Sequence, residues 1–451
     1  MKIALIYRAL PEDNPCTERW LEIMPPLWAL SLATYLRETL PSVKVDILDE
    51  QVLGRARFLK KLASERYDLA GFSPVMRTYE RVLEAARLVH RNGAVVVLGG
   101  HYAPVLKDEI FANRGRGSRD HCVDAIVRYD GEKAICELAR GAAYKSIKNL
   151  IYQDPRGKVV ENPSENLDLA RLPPVDYTLA DLGAYFRLQP AHSRRMVSFA
   201  SQRGCKWAEG AGRCTFCGIQ AKGLRALPPE TAAAQLAHLY GKLGVRHVYE
   251  CSDDFPADAA WLERFAAAAA GKKTPVLKIF ARASSLTPRV IALLKAVRAN
   301  YISLGIESMS DAVLRGVGKG ASVALNRRAI ALTAGAGLVP IVNLILGLPG
   351  ETRATLAGTL AEMKKLELPE ISWKMVRLAV FSVLPGTEVR RRFLAKEPKY
   401  RGSDLPGDSG FYDDWRRHFC GVDGQDILSS YAALEKLFAD KIRGIRKARR
   451  S

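Results

Sequence analysis

The chain lacks the marks of a membrane or secreted protein. No apolar run among its 451 residues is long enough to cross a bilayer, and Met1-Lys-Ile-Ala-Leu-Ile-Tyr7 is too short for a signal peptide. Eight cysteines do not make a disulfide framework in a chain this long, and Cys16, Cys122, Cys136, Cys251 and Cys420 are scattered. A reducing cytoplasm is the expected setting. No P-loop, HExxH or Ser-His-Asp arrangement occurs, so phosphate-loop, zincin and serine-hydrolase chemistry have no residues to carry them. Apart from Ala266–Ala270 there is no low-complexity block, and no internal repeat. Acidic residues are scarce: 48 Asp and Glu face 68 Lys and Arg, a net charge of +20. A basic surface attracts acidic partners. No RNA-binding signature accompanies the charge, and aromatic residues are not interleaved with the basic ones, so nucleic acid is not the expected partner. The densest basic run, Lys441–Arg450, reads as a solvated helix end.

What the chain does have is two alternations of apolar strands with amphipathic helices. In residues 1–142 strands are expected at Ile3–Tyr7, Val43–Leu48, Leu69–Phe72, Val95–Leu98 and Ala125–Val127, with helices such as Leu27–Leu40 and Tyr79–Arg91 between them. This pattern predicts an α/β, doubly wound, Rossmann-like parallel sheet, which binds ligands beyond the carboxyl ends of its strands. Residues 143–195, with Leu172-Pro-Pro-Val-Asp-Tyr177, read as an irregular linker. Residues 196–390 repeat the alternation, with strands at Met196–Ala200, His247–Cys251, Val276–Ala281, Tyr301–Gly305, Ile341–Leu346 and roughly Ser372–Phe381, and helices such as Glu230–Leu243 and Arg289–Arg298. Six β/α units predict a partial (β/α)6 barrel of TIM type, with its chemistry at the C-terminal strand ends. Residues 391–451 form a small, mainly helical C-terminal region ending in a helix at Ser429–Lys447.

The segment after the first barrel strand contains Cys205, Cys214 and Cys217. Three thiolates with no nearby fourth thiol or histidine can hold three irons of a [4Fe–4S] cluster and leave the fourth iron open for a small molecule. A structural zinc site would ask for four ligands, commonly in paired motifs, and there is no second CxxC or Cys/His pair.

Other strand ends carry a matching set. Phe216 precedes Cys217; Glu250-Cys-Ser-Asp-Asp-Phe255 ends the second strand; Arg282 closes the third; Gly305-Ile-Glu-Ser308 closes the fourth; Gly347-Leu-Pro-Gly-Glu-Thr352 closes the fifth; Leu384-Pro-Gly-Thr387 follows the sixth. In this order the motifs resemble those of radical S-adenosylmethionine (SAM) enzymes over roughly residues 196–390. The resemblance implies a [4Fe–4S] cluster on the three cysteines and SAM chelated at the open iron. It implies SAM contacts from Phe216, Ser252, Asp253, Asp254, Arg282, Glu307 and Gly347. Glu307 would face the SAM ammonium or ribose, Arg282 the carboxylate, and Asp253 or Asp254 the ribose hydroxyls. The common family spacing is CxxxCxxC, whereas eight residues, Lys206–Arg213, separate Cys205 from Cys214 here. A long first spacer, with Gly204-Cys205-Lys206-Trp207 at the first cysteine, is similar to a subgroup that modifies ribosomally made peptides.

The first domain resembles the cobalamin-binding domain of one large class of these enzymes. Pro25-Pro26-Leu27, Gly99-Gly100-His101 and the partial match Asp130-Gly131-Glu132-Lys133 carry the likeness, and Asp49-Glu50-Gln51-Val52-Leu53-Gly54 fits the signature DxHxxG with glutamine in place of histidine. The resemblance implies cobalamin held near Asp49, Gln51, Gly54, Ser73, Arg77, Gly99, Gly100 and His101, with no histidine beneath cobalt. A Rossmann-like module that binds nothing is the competing reading of this domain.

Together the two resemblances imply a cobalamin-dependent radical SAM methyltransferase. It would pass a methyl group from SAM, through methylcobalamin, to a carbon of a peptide or secondary-metabolite substrate. The alternative is a radical cyclisation or rearrangement on the same motifs. An external electron donor such as a flavodoxin or ferredoxin is the implied partner.

Overall fold

The computed structural model describes all residues except 10–22, 113–121, 192–193, 210–212, 220–222, 402–408 and 449–451. Cys16, the middle of the Lys206–Arg213 spacer and the last arginines of the basic tail therefore lie outside the described residues. The chain divides into two compact units, Met1–Ser198 and Phe199–Ser451.

The first unit is built on a seven-stranded sheet of β1 (Lys2–Tyr7), β2 (Lys44–Asp49), β3 (Leu69–Phe72), β4 (Val95–Leu98), β5 (Ala125–Val127), β6 (Leu150–Gln153) and β7 (Val159–Glu161), in the order β2-β1-β3-β4-β5-β6-β7. The first five are parallel, and β6 and β7 add antiparallel. Alternate residues of the same strands feed separate cores. Ala4, Ile6, Ala70, Phe72, Val96 and Leu98 pack on one face; Ile3, Leu5, Leu69, Val97, Ala125 and Val127 pack on the other. Period-two alternation in strands apolar on both faces is what a sheet covered by helices on both sides requires. The strand order reverses between β1 and β3, which makes the carboxyl ends of those strands the ligand crevice of such a sheet.

The stretch read as a linker is more ordered than its prolines suggested. It supplies β6 and β7 and a helix at Leu182–Leu188. Polar residues organise it in place of an apolar pattern. Asn149, with a left-handed φ of 66°, donates to the carbonyls of Asp130 (3.1 Å) and Glu165 (2.8 Å) and accepts from the Glu165 amide (2.7 Å). Asn162 donates to the Tyr144 and Ile147 carbonyls (2.6 and 2.7 Å). Such side chains substitute for turn backbone and leave no hydrophobic signature.

The second sheet comprises β8 (Met196–Phe199), β11 (His247–Glu250), β12 (Val276–Ala281), β13 (Ala299–Glu307), β14 (Val339–Leu346) and β15 (Arg377–Val380), in the order β15-β14-β13-β12-β11-β8. From β11 to β15 the strands are parallel. This monotonic order is that of a partial barrel. Leu277, Ile279, Ile302, Leu304, Ile306, Val342, Leu344 and Leu346 are buried on one face. The alternate positions make polar and aromatic contacts: Tyr249 against Phe280 at 5.4 Å, and the Asn343 amide donating to Ser303 Oγ at 3.0 Å. The expected sixth strand, Ser372–Phe381, is shorter than expected. Residues Glu370–Met375 form a helix before β15, because Ser372 and Trp373 are buried, Pro369 precedes the helix, and Lys374 pairs with Glu370 one turn back at 2.7 Å. The final helix, Gly424–Ala448, is longer than expected. Among the described residues no helix is long and apolar enough to cross a membrane.

Replacing Asn149 by Ala strands two carbonyls and an amide at a left-handed position. A loss of about 2 kcal/mol in urea-denaturation stability is expected; an unchanged midpoint would remove Asn149 from this role.

Candidate functional site

The three cysteines sit on a loop pinched at its base. Two short strands, β9 (Gln202–Arg203) and β10 (Arg225–Ala226), pair antiparallel and bracket all three thiols. Just inside the pinch, Gly204 has φ 93°, and a Cβ there would stand 1.9 Å from the Gly223 carbonyl oxygen. Only glycine allows that backbone crossing. Leu224 N–H donates to Glu209 Oε1 at 2.6 Å, a second tie across the loop. The long spacer is thus accommodated inside a closed loop with a fixed neck.

Further ties hold the loop's interior. Cys217 N–H donates to the Cys214 carbonyl at 3.1 Å, and Thr215 N–H donates to the Val317 carbonyl at 2.9 Å. Trp207 Nε1 donates to the Gly318 carbonyl at 3.0 Å. From the C-terminal region, Val389 N–H donates to the Thr215 carbonyl at 3.1 Å. Phe216 packs against an aromatic cluster that includes Phe381, Phe393, Tyr400, Phe411 and Trp415. The C-terminal helices are therefore part of the wall of the cysteine loop.

Cys214 is buried, Cys205 and Cys217 half-buried. Burial pushes the Cys217 thiol up, and the neighbouring Cys214 and Cys205 push it in the same direction. Burial likewise raises Cys205. Thiols that crowd one another in this way wait for a cation. Three thiols on one loop, with Cys217 close enough to Cys214 and Cys205 to feel their charge, are a donor set that suits the iron of a cluster held by three thiolates.

Around the cysteines the strand-end residues divide into two groups. Ser252 and Asp254 are spent on scaffolding. Ser252 Oγ donates to Glu250 (2.5 Å) and accepts from Gln202 N–H (3.1 Å). Asp254 accepts from Arg282 N–H (3.0 Å) and Ser285 Oγ (2.6 Å). Gly347 is likewise enclosed: its N–H donates to Glu351 (2.9 Å) and its carbonyl accepts from Trp415 Nε1 (3.4 Å). Asp253 is exposed. Arg282 and Glu307 are more active. Arg282 Nη1 approaches Cys214 Sγ at 3.7 Å, and Nη2 donates to the Lys319 carbonyl. Glu307 has a left-handed φ of 62° at a register break in β13 and pairs with Lys319 at 2.8 Å. Strained backbone of this kind collects at functional sites. Cys251 donates weakly to the Tyr249 carbonyl at 3.4 Å. Cys420 is half-buried, donates weakly to the Gly347 and Leu348 carbonyls at 3.5 Å, and has its thiol pushed up to about 12 by burial.

Glu250, which no motif singled out by itself, anchors the entry to the loop. Fully buried, it accepts from Ser201 N–H (3.1 Å) and Ser252 N–H (3.0 Å), and burial raises its carboxyl from 4.5 to about 7. Lys319 and the two glycines that seat Trp207, Gly318 and Gly320, carry no motif of their own. Their only sequence signal was the glycine spacing in Gly316-Val-Gly-Lys-Gly320.

In the first unit, Asp49 ends β2, caps the short helix Glu50–Leu53 through Gln51 N–H (2.8 Å), and accepts from Tyr185 Oη at 2.6 Å. Burial raises its carboxyl to about 6. Where the DxHxxG pattern would have an aspartate beside a histidine, this aspartate holds a tyrosine. Gln51 is half-buried on the helix, and Gly54 follows at φ 74° with open space around it. Ser73 and Gly99 are half-buried beyond β3 and β4; Gly100, His101 and Arg77 are exposed. Arg8, just after β1, is buried and salt-bridged to Glu84 (2.8 Å) and, more loosely, Glu50 (3.6 Å). Its Nε and Nη1 have no hydrogen-bond partner among the described residues. The crevice at the switch point, with the open space around Gly54 and the half-buried Gln51, Ser73 and Gly99 at the strand ends, suits a large ligand such as a corrin, which Asp49, Gln51, Gly54, Ser73 and Gly99 would hold there.

Comparison with known proteins agrees with both halves. Residues 201–363 match the radical SAM superfamily, and residues 19–139 match the B12 binding domain. An uncharacterized methyltransferase, PH0819, of Pyrococcus horikoshii is 25% identical over 86% of this chain and 83% of its own. The anaerobic magnesium-protoporphyrin IX monomethyl ester cyclase of Rubrivivax gelatinosus is 24% identical over 80% of this chain, which spans 65% of the cyclase. Among solved structures, the cobalamin-dependent SAM radical enzyme OxsB superposes with a TM-score of 0.73 at 19% identity, over 96% of this chain and 66% of that one. The radical SAM methyltransferase TsrM of Kitasatospora setae superposes with a TM-score of 0.69 at 18% identity, over 90% of this chain and 79% of its own.

The supports of the loop can be tested one at a time. Gly204→Ala must move the Gly223 carbonyl and take up a left-handed φ, a strain of about 1–3 kcal/mol; the anaerobically reconstituted variant is expected to hold less iron per chain than wild type. For Glu250, the raised carboxyl stabilises the fold fully below about pH 4.5 and loses that contribution as pH rises through about 7. Denaturation curves should show wild type losing stability relative to Glu250→Gln across that window, and parallel pH profiles would refute the assignment.

Proposed function

We propose that the chain, which belongs to the cobalamin-binding radical SAM enzymes, is a methyltransferase acting on a carbon of a peptide or secondary metabolite. The combination of a B12-binding domain and a radical SAM domain in one chain carries this reading. When bound, the cluster and SAM supply one-electron chemistry at an unactivated carbon, and cobalamin supplies a methyl carrier.

The chain's own residues set the conditions for that chemistry. Cys205, Cys214 and Cys217 would hold three irons and leave the fourth open. Arg282 lies against Cys214 Sγ and places a positive charge beside the site. Glu307, held by Lys319, is the carboxylate suited to the cationic end of SAM. Asp253, exposed at the end of β11, suits a ribose contact, whereas Asp254 is buried in the scaffold. In the first domain Asp49 is committed to Tyr185, and Gln51 would offer cobalamin an amide in place of the signature's histidine. The sequence around Gly204-Cys205-Lys206-Trp207 supports a peptide substrate, and a flavodoxin- or ferredoxin-like donor would supply the electrons. The similarity to a cyclase supports the second reading, a radical ring closure without methyl transfer.

Methyl-deuterated SAM separates the two. Incubation of the reconstituted enzyme with candidate substrates is expected to yield a product carrying the heavy methyl group by mass spectrometry, and Cys205→Ala, Cys214→Ala and Cys217→Ala are each expected to abolish it. A product without the label would reject methyl transfer in favour of a radical cyclisation or rearrangement.

A further inference from the structure

The spacer between Cys205 and Cys214 carries one large aromatic residue, Trp207, and the structure gives it an elaborate seat. Its indole N–H is fixed by the Gly318 carbonyl at 3.0 Å. One part of the ring lies so close to Gly320 that a Cβ there would stand 2.2 Å from ring carbon Cζ2, and Gly320 has φ 63° besides. The Arg282 guanidinium lies 4.6 Å from the ring centroid. Arg282 is 7% exposed; its Nη2 is held by the Lys319 carbonyl, and its Nη1 is directed at Cys214 Sγ, 3.7 Å away. Backbone, indole, guanidinium and thiol thus form a continuous series of contacts, every member of it among the described residues.

Each contact restricts the next. An arginine on a long stem has many rotamers, and stacking on an aromatic face selects among them. The indole is itself locked by one hydrogen bond and by a backbone that only glycine can bring so near. A guanidinium N–H aimed at a cluster thiolate stabilises the extra negative charge that the cluster gains on reduction. Hydrogen bonds to cluster sulfurs are among the levers that set cluster potentials.

We propose that Trp207 is a positioning residue that holds Arg282 against the Cys214 sulfur, and that this pair raises the reduction potential of the cluster. The inference rests on the assignment of the three cysteines to a [4Fe–4S] cluster. It also explains what the long spacer is for, since the added residues deliver an indole to the arginine at the end of β12. The arginine thereby acts on the cluster's own ligand, whereas the family resemblance gave it only a carboxylate of SAM.

The test is an EPR-monitored redox titration of the anaerobically reconstituted full chain without SAM, with iron and sulfide counted for each sample. Trp207→Leu removes the ring, Trp207→Phe keeps a π face without the N–H, and Arg282→Lys keeps the charge without the planar fork. The midpoint potential is expected to move to more negative values in Trp207→Leu and Arg282→Lys, and less so in Trp207→Phe, at wild-type iron content. An unchanged potential in either Trp207→Leu or Arg282→Lys with a full cluster overturns the proposal. Failure of both variants to hold iron also overturns it, since the pair would then be needed to build the site and not to tune it. Failure of wild type to take up a four-iron cluster would instead strike the cluster assignment itself, so the two ideas fail separately.

Discussion

The cysteine loop depends on a set of backbone hydrogen bonds that join three stretches far apart in sequence. Thr215 stands at their centre: its amide donates to Val317 and its carbonyl accepts from Val389. A loop that must present thiols in fixed positions cannot rely on side-chain packing alone, because cysteine is small and its neighbours here include three glycines, Gly204, Gly210 and Gly212. Directional bonds to two other segments replace the rigidity that a helix or strand would have supplied. The neck at β9 and β10 closes the loop, and Thr215 fixes its far side.

A second regularity runs through both units. Strands end at buried carboxylates that accept from nearby backbone amides: Asp49 after β2, Glu250 at the end of β11, Asp254 beyond it, and Glu351 after β14. Burial raises all four carboxyls. The cost of desolvating each is offset by two or more donors, and the result is a strand end whose following loop leaves in a defined direction. Ligand sites in such folds lie at these ends, so the same groups that order the loops also set the walls of the site. Ser252 and Asp254 illustrate the consequence: they lie at a strand end but their hydrogen bonds are made to the scaffold behind it.

Much of the strand framework was legible in the sequence, and for one reason. Strands such as Leu69–Phe72 and Val95–Leu98 are short apolar runs bounded by polar or glycine residues, and both appear at the expected residues. The three cysteines stood out in the sequence because their spacing is itself the signal, and the structure places all three on one closed loop. The less visible parts are held by polar or distant contacts. Asn149 and Asn162 order β6 and β7 without any apolar periodicity. Pro369 and the Glu370–Lys374 pair turn part of an apparent strand into a helix. Arg282 could be located by motif order, but its partner Trp207 lies two strands earlier in the chain, and only folding reveals the pairing. Glu250 resembles an ordinary strand-end residue until the Ser201 and Ser252 donors are placed around it.

The Thr215 to Val389 bond has a further consequence, in time as well as space. Val389, Phe393, Phe411 and Trp415 lie far C-terminal to the three cysteines, yet the aromatic residues back Phe216 and the Val389 amide completes the cysteine loop. Contacts between segments so distant in sequence form late, after the local β/α units have closed. A nascent chain that has already made all three cysteines therefore has thiols but no walled site. The thiols are thus made well before the segment that walls them in, and the loop takes its final form only when both are in place.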